Sequence, residues 1–452
     1  MMPSIFSEII HQIVTKAELF FKWYSDAGRE FLNFLHVIFD NGFYVFLGIA
    51  FLISVLYYIL LFHNLFGKKR TKNYRFNEDE APFVTIQIPT FNELAALNCA
   101  ERCLNFDYPR ERYEILIGDD SNDPEISQKI QEFAGKHSQM KVFKRERNMG
   151  FKPGNLNNLL KYSRGEYLVL FDSDFLPERD FLKRIIAPLQ NDPKLSVVQA
   201  RWKIINPNHN LITVLGATMS KVFHYLFMPF VQNFGGVSFL CGSAEAVRKK
   251  DLVDMGGWQS GSLTEDIEYS MRLLTNNKKL MYLEDLECEC EVPYTPKDLY
   301  RQQMRWAYGV IAAAKLHFRN IVNCKLPARS KFSIFTFCSG YFLAVLLLAL
   351  FFFGTLSFIT HEPGPMNLPL FFGEMGRNIL LTSGLLVASL YAVSKDKDIK
   401  RMDKVILSSF SYGFIVTYYV NTGIYKVFSG QPMEWHMLKK KGNEAKAQIS
   451  TS

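Results

Sequence analysis

Residues 167–175 read Tyr-Leu-Val-Leu-Phe-Asp-Ser-Asp-Phe, a short apolar run that ends in two acids one residue apart. A run this short, Tyr167–Phe171, fits a buried β-strand better than a helix. Asp172 and Asp174 stand at its carboxyl end. Side chains alternate along a strand, so positions i and i+2 point the same way. Two carboxylates on one side can approach a divalent cation. Mg²⁺ commonly takes one or two carboxylates plus substrate phosphates. An acid at a strand end also often caps the next helix, so the pair acquires meaning only from what surrounds it.

Upstream, the same pattern repeats. Phe83–Ile88 is a β-rich run followed by a helical pattern over Glu93–Leu104. Tyr113–Gly118 is a second run, followed by a helix beginning at Pro124. Lys141–Arg145 is a third, followed by a helix from Pro153. Alternation of this kind predicts an α/β domain with a parallel sheet and helices on both faces. Ligands in such sheets bind outside the carboxyl ends of the strands. There the sequence places Thr90, Phe91 and Glu93 after the first strand and Asp119–Asp120 after the second. Asp172 and Asp174 follow the fourth.

Downstream, Leu263-Thr264-Glu265-Asp266 offers a carboxylate suited to take a proton from an attacking hydroxyl, or a helix N-cap formed by Thr264. Arg301-Gln302-Gln303-Met304-Arg305-Trp306 lies in a helical context. Gln302 shares a face with Arg305 and Trp306. Arginine suits diphosphate oxygens, and tryptophan offers a flat apolar platform for a sugar ring. An amphipathic interface helix would also use such residues.

Long apolar blocks flank this region. Asn41–Gly67 carries no charged residue, and Gly42–Phe62 is long enough to cross a bilayer. The mixed segment before it reads as an amphipathic surface helix. The basic stretch Gly67–Arg75 places the following polar region in the cytosol. Phe332–Thr360, Asn378–Ser394 and Val405–Tyr425 are again free of charge and read as three further membrane helices. Three crossings would put the basic tail outside, against the usual charge bias. Either one segment lies in the interface or one long segment hides two crossings.

The chain therefore divides into an amphipathic segment (1–40), a membrane helix (41–67), a cytosolic α/β domain (76–307), an interface helix or linker (308–331), C-terminal membrane helices (332–425) and a basic tail (426–452). The expectation is a multi-pass integral membrane protein of about four helices in contact with membrane lipids.

Composition agrees. Of 452 residues, 48% are hydrophobic and 21% charged, which excludes a disordered chain. A net charge of +8 suits a membrane or an anionic ligand. No zinc-finger spacing, long basic block or RNA-binding signature is present, so nucleic acid is not an expected partner. The seven cysteines match no metal or disulfide framework.

Taken in order, Asp119–Asp120, Asp172-x-Asp174, Thr264-Glu265-Asp266 and Gln302-x-x-Arg305-Trp306 resemble the motif set of membrane-embedded family 2 glycosyltransferases, the cellulose, hyaluronan, chitin and mannan synthase group. Lys152-Pro153-Gly154-Asn155-Leu156-Asn157 resembles that group's Lys-Ala-Gly-x-Leu-Asn run. Phe239-Leu240-Cys241-Gly242-Ser243 resembles its Phe-Cys-Gly-Ser segment, closest to bacterial cellulose synthases. The resemblance covers roughly residues 83–307.

The resemblance implies a GT-A domain, with a Rossmann-like mixed sheet, beside a helical membrane region. It implies inverting, processive β-transfer from a nucleotide sugar to a growing polysaccharide, with secretion of the polymer. UDP-glucose is favoured by the Cys-Gly-Ser segment, and GDP-mannose is the alternative. By resemblance, Thr90, Phe91, Glu93, Asp120, Lys152, Asp172, Gln302 and Arg305 hold the donor. Asp174 and Asp172 hold Mg²⁺ or Mn²⁺, Asp266 is the base, and Trp306 and Cys241 meet the acceptor. Accessory secretion subunits are conceivable partners. Departures from the group's pattern are Phe91 for tyrosine, Pro153 for a small residue, and a tail around Trp435 that only partly matches. The rival readings are single transfer to a lipid acceptor (ceramide, diacylglycerol or polyprenyl phosphate) and a non-catalytic membrane scaffold.

Overall fold

The computed structural model describes residues 14–15, 26–67, 74–361, 368–395 and 402–433. Most of the N-terminal amphipathic segment, residues 68–73, 362–367 and 396–401, and the tail from Glu434 lie outside the described residues. The chain forms two compact units: Met1–Ile59 with Phe342–Val387, and Leu60–Tyr341 with Ala388–Ser452.

The elements follow in order: α1 (Asp26–Phe66), β1 (Val84–Thr90), α2 (Ala95–Leu104), β2 (Tyr113–Asp119), α3 (Pro124–Gly135), β3 (Met140–Lys144), α4 (Phe151–Leu160), β4 (Tyr167–Leu170) and α5 (Phe181–Asn191). Next come β5 (Leu195–Ile204), α6 (Leu211–Lys221, continued by π-helical turns to Gly235), β6 (Glu245–Arg248), α7 (Lys249–Asp254), α8 (Glu265–Thr275) and β7 (Lys279–Cys290). The chain continues through α9 (Pro296–Asn323), α10 (Ala328–Ser339), α11 (Phe342–Thr360), α12 (Leu368–Leu381), α13 (Gly384–Ser394) and α14 (Met402–Ser429).

The larger unit holds one seven-stranded sheet, ordered β3-β2-β1-β4-β6-β5-β7. The four strands expected from sequence are present, and β1 to β4 run parallel. Beyond the parallel strands that the alternation predicted, β6 runs antiparallel to both β4 and β5. The sheet is mixed, as the resemblance implied. Strands β1, β2 and β4 are almost wholly buried, as strands covered on both faces should be. The register pairs Thr90 with Asp119 and Asp119 with Lys144, so the carboxyl ends of β1, β2 and β3 align at one edge.

Local signals fix the helices that matter. Thr295 caps α9 by accepting from the Asp298 N–H, with Pro296 at the first helical position. A Cβ at Gly118 would collide with the Asn155 side chain, whose Nδ2 donates to the Gly118 carbonyl at 2.8 Å. That glycine lets α4 press onto β2 and brings Lys152 to the sheet edge.

In the smaller unit, α1 and α11 pack closely. A Cβ at Gly42 would stand 2.4 Å from the Phe353 ring. Between α12 and α13 the chain bends by 55°, and the Gly384 N–H donates to Ser54 Oγ at 2.8 Å. A backbone group freed at a helix break is thus satisfied by a neighbouring hydroxyl.

Among the described residues, three helices are long and apolar enough to cross a membrane: Gly28–Phe66, Leu211–Gly235 and Phe342–Thr360. The bent pair α12–α13 makes up to four. These helices fit a membrane protein. The expected apolar span Phe332–Thr360 is broken at Gly340–Tyr341 into α10 and α11. Leu211–Gly235, not anticipated from sequence, is 67% buried within the protein. Helix α14 covers the anticipated Val405–Tyr425 but is not among those three. A Cβ at its Gly423 would stand 2.6 Å from the Met304 carbonyl oxygen of α9, so the two helices touch backbone to backbone.

Candidate active site

Thr90, Phe91, Glu93, Asp120, Lys152, Asp172, Asp174, Cys241, Asp266, Gln302, Arg305 and Trp306 all line one cleft at the carboxyl edge of the sheet. Every site residue singled out in the sequence is therefore brought to one place.

The acids differ in environment. Asp119 is fully buried; it accepts from the Ser121 N–H and the Ser127 hydroxyl, so it braces the loop. Asp120 meets Arg145 in a two-point pair, Nε to Oδ1 at 2.7 Å and a second nitrogen to Oδ2. Such forks fix orientation as well as charge. Glu93 accepts from the Ser173 hydroxyl. Asp174 is fully buried, with the Glu291 N–H 3.4 Å from its Oδ2, whereas Asp172 is part-exposed beside it.

Lys152 is the hub. Its ammonium is ion-paired with Asp172 Oδ1 at 2.7 Å and Glu265 Oε1 at 3.2 Å and donates to the Gly242 carbonyl at 2.5 Å. Those three partners match the three donors of an ammonium. Burial alone would lower its pKa, but Asp172 and Glu265 outweigh burial and hold it well above the ordinary lysine range.

Asp266 sits in the first turn of α8. Burial first, and then the neighbouring Glu265 carboxylate, push its pKa up to about 7. Lys152 and the N–H groups of Ile267 and Asp266 pull the other way. The expected cap differs: Thr264 occupies the N-cap position but makes no capping hydrogen bond through its side chain. It packs instead on α9, where a Cβ at Gly309 would come within 2.4 Å of it. Glu268, one turn on, is held by Arg272 at 2.8 Å and by His317 of α9 at 3.0 Å. These contacts lock the Asp266 helix against the one carrying Gln302, Arg305 and Trp306.

An aromatic wall completes the cleft. Trp202 of β5 lies 6.4 Å from Trp306, centroid to centroid, and its indole N–H donates to the Ser243 carbonyl at 3.2 Å. The Cys241 N–H donates to Gln199 Oε1 at 2.7 Å. Burial, followed by the neighbouring Asp266 carboxylate, raises the Cys241 thiol well above its usual range.

Sequence reading missed Glu245 and Arg145. Glu245 is an almost fully buried carboxyl that opens β6 and accepts from the Gly242 N–H at 3.0 Å. Burial and then Asp266 drive its pKa well upward. Neither residue belongs to a recognisable short motif; only long-range pairing brings Glu245 against Gly242 and Arg145 against Asp120, which line the cleft.

Comparison with known proteins agrees with this geometry. A family model described as "Glycosyl transferase family group 2" matches residues 167–387. Glucomannan 4-beta-mannosyltransferase 2 of Arabidopsis thaliana is 34% identical over 270 residues, covering 56% of this chain and 50% of that protein. Glucomannan 4-beta-mannosyltransferase 9 of the same plant is 33% identical over 264 residues, covering 54% and 49%. The match thus spans about half the length of these curated relatives. Among solved structures, a mannosyltransferase from Pyrobaculum calidifontis, in complex with GDP-Man and Mn²⁺, superposes with a TM-score of 0.57. It covers 81% of this chain and 100% of its own at 16% identity, a likeness of fold. Motif order, mixed sheet and these matches agree, and residues 167–387 are similar to the family 2 glycosyltransferases.

Proposed function

We propose that this protein transfers a hexosyl unit, with inversion, from a nucleotide sugar to the end of a growing polysaccharide, and that the polymer is secreted across the membrane. The observation that carries this reading is the single cleft, in which donor-type, base and aromatic residues converge from α4, β4, α8 and α9. Thr90, Phe91, Glu93 and Asp120 form the nucleotide end. Lys152, Gln302 and Arg305 grip the diphosphate, where arginine offers planar two-point bonding. Asp266 takes the proton from the acceptor hydroxyl, and a base poised near neutrality is suited to that task. Trp306 stacks on the acceptor sugar, with Cys241 beside it.

Among the described residues no group of three or more His, Cys, Asp or Glu is placed to hold a metal ion alone. The pair Asp172 and Asp174 fits a hard cation that completes its shell from diphosphate and water. Bound there, Mg²⁺ or Mn²⁺ would neutralise charge on the leaving diphosphate. The names of the two curated relatives support a mannosyl donor, which sets GDP-mannose ahead of UDP-glucose on a test panel.

The test is a donor screen on purified protein in detergent with Mg²⁺ or Mn²⁺, reading nucleotide release and product size. A ladder of β-linked products from one donor is expected. A single sugar on lipid would overturn the polymer assignment. Asp266→Asn is expected to abolish transfer and leave nucleotide affinity intact; an active variant would overturn the base assignment.

A further inference from the structure

The turn Cys241-Gly242-Ser243 touches both ends of the proposed reaction. On one side, the Asp172 N–H donates to Ser243 Oγ at 2.8 Å. On the other, a Cβ placed on Gly242 would stand 3.4 Å from Asp266 Oδ2 and 3.4 Å from Lys152 Nζ. Gly242 has φ +85°, a left-handed conformation that glycine adopts without strain. Its backbone is held from two directions. The Lys152 ammonium donates to its carbonyl, and its N–H donates to Glu245 Oε2. Gln199 holds the flanking groups, accepting from the Cys241 N–H and donating to the Ser243 carbonyl.

Glu245 is fixed in turn. It opens β6, paired with Leu170 of β4 on one side and Gln199 of β5 on the other. We propose that Glu245 is a positioning residue for sugar transfer, whose carboxyl clamps the Gly242 peptide so that Asp172 and Asp266 keep their separation. This rests on the transferase reading above.

The charged groups facing Glu245 are Asp266 and Glu265 from α8 and Lys152 from α4. Burial and the Asp266 charge push the Glu245 pKa well upward and so favour its neutral form. A neutral acid accepts the Gly242 N–H without adding a negative charge beside the base. Glutamine can do the same; leucine cannot, and would leave a buried N–H without an acceptor.

The test compares full-length wild-type, Glu245→Gln and Glu245→Leu proteins in detergent. It reads kcat, donor KM, the pH profile, and calorimetric affinity for GDP and UDP. Glu245→Gln is expected to stay within a few fold of wild type with an unmoved acid limb. Glu245→Leu is expected to lose kcat on the order of a hundredfold, the scale of a misplacement of about 1 Å, with donor KM and diphosphate affinity unchanged. A merely structural role would lower thermal stability without that split. An active Glu245→Leu would overturn the clamp. If Glu245→Leu does not fold, Glu245→Gln still decides: a large loss of activity, or an acid limb moved downward, would show an ionised Glu245 and overturn the neutral clamp. A wild type without turnover on any donor overturns the transferase reading, and the clamp with it. An active wild type beside an equally active Glu245→Leu overturns the clamp alone.

Discussion

Gly309 offers the sharpest test of how the two halves of the cleft are held together. It lies on α9, one turn beyond Trp306, and faces Thr264 at the start of the Asp266 helix. A methyl at Gly309 would stand 2.4 Å from Thr264 Cγ2, 2.5 Å from Oγ1 and 2.9 Å from Cβ. Ordinary contact begins at 3.4 Å, so the loop and α9 must part by about 1 Å. Rotating Thr264 does not help, because its Cβ is itself too close. Retreat of α9 is blocked behind, where Gly423 of α14 lies against Met304.

In Gly309→Ala the helix gains about 1 kcal/mol from alanine's propensity. Overpacking costs about 1–3 kcal/mol, so the melting temperature should fall only slightly. Catalysis should fall much further. A shift of about 1 Å between Asp266 and the Arg305–Trp306 face costs on the order of a hundredfold in kcat, equivalent to about 2.7 kcal/mol. The assay is nucleotide release under saturating donor, with thermal melting on the same samples. Thr264→Ala leaves only Cβ at 2.9 Å, so the double variant should recover part of the loss, a coupling that a double-mutant cycle detects. Wild-type kcat in Gly309→Ala would refute the argument that this contact sets the spacing.

Two further outcomes are expected. In the proposed base role Asp266 must be ionised, and its pKa is pushed up to about 7, so kcat should fall as pH drops through that value. Glu265→Gln removes the like charge that raises it and should move the acid limb to lower pH; a limb that stays put would sink the electrostatic account. Trp202→Leu keeps bulk but removes the flat face 6.4 Å from Trp306. Acceptor KM should rise by up to about tenfold, the upper range for an aromatic contact, with donor KM unchanged. An unchanged acceptor KM would reduce Trp202 to packing.

The sequence alone determined the first four strands and the residues at their ends. Those signals are local: short apolar runs, alternating helices, and acids two residues apart at a strand terminus. Gln302, Arg305 and Trp306 were legible for the same reason, since i,i+3 and i,i+4 spacing is a property of one helix. Likewise, the apolar run within α1 announces itself by length.

Only the tertiary structure decided the rest. The reversal of β6 depends on pairing with β5 and with β4, the latter across more than seventy residues of chain from Leu170 to Glu245. No local periodicity encodes that pairing. It is what buries Glu245 beneath the Gly242 turn and turns an unremarked acid into a neighbour of Asp266. The break at Gly340–Tyr341 was hidden because hydropathy reports polarity and not helix continuity. Thr264 shows the same limit. Its place before α8 reads as a cap, yet contact with Gly309, forty-five residues on, takes the side chain for packing instead. Residue type and spacing wrote the chemistry of the cleft, while long-range packing set the distances at which that chemistry can work.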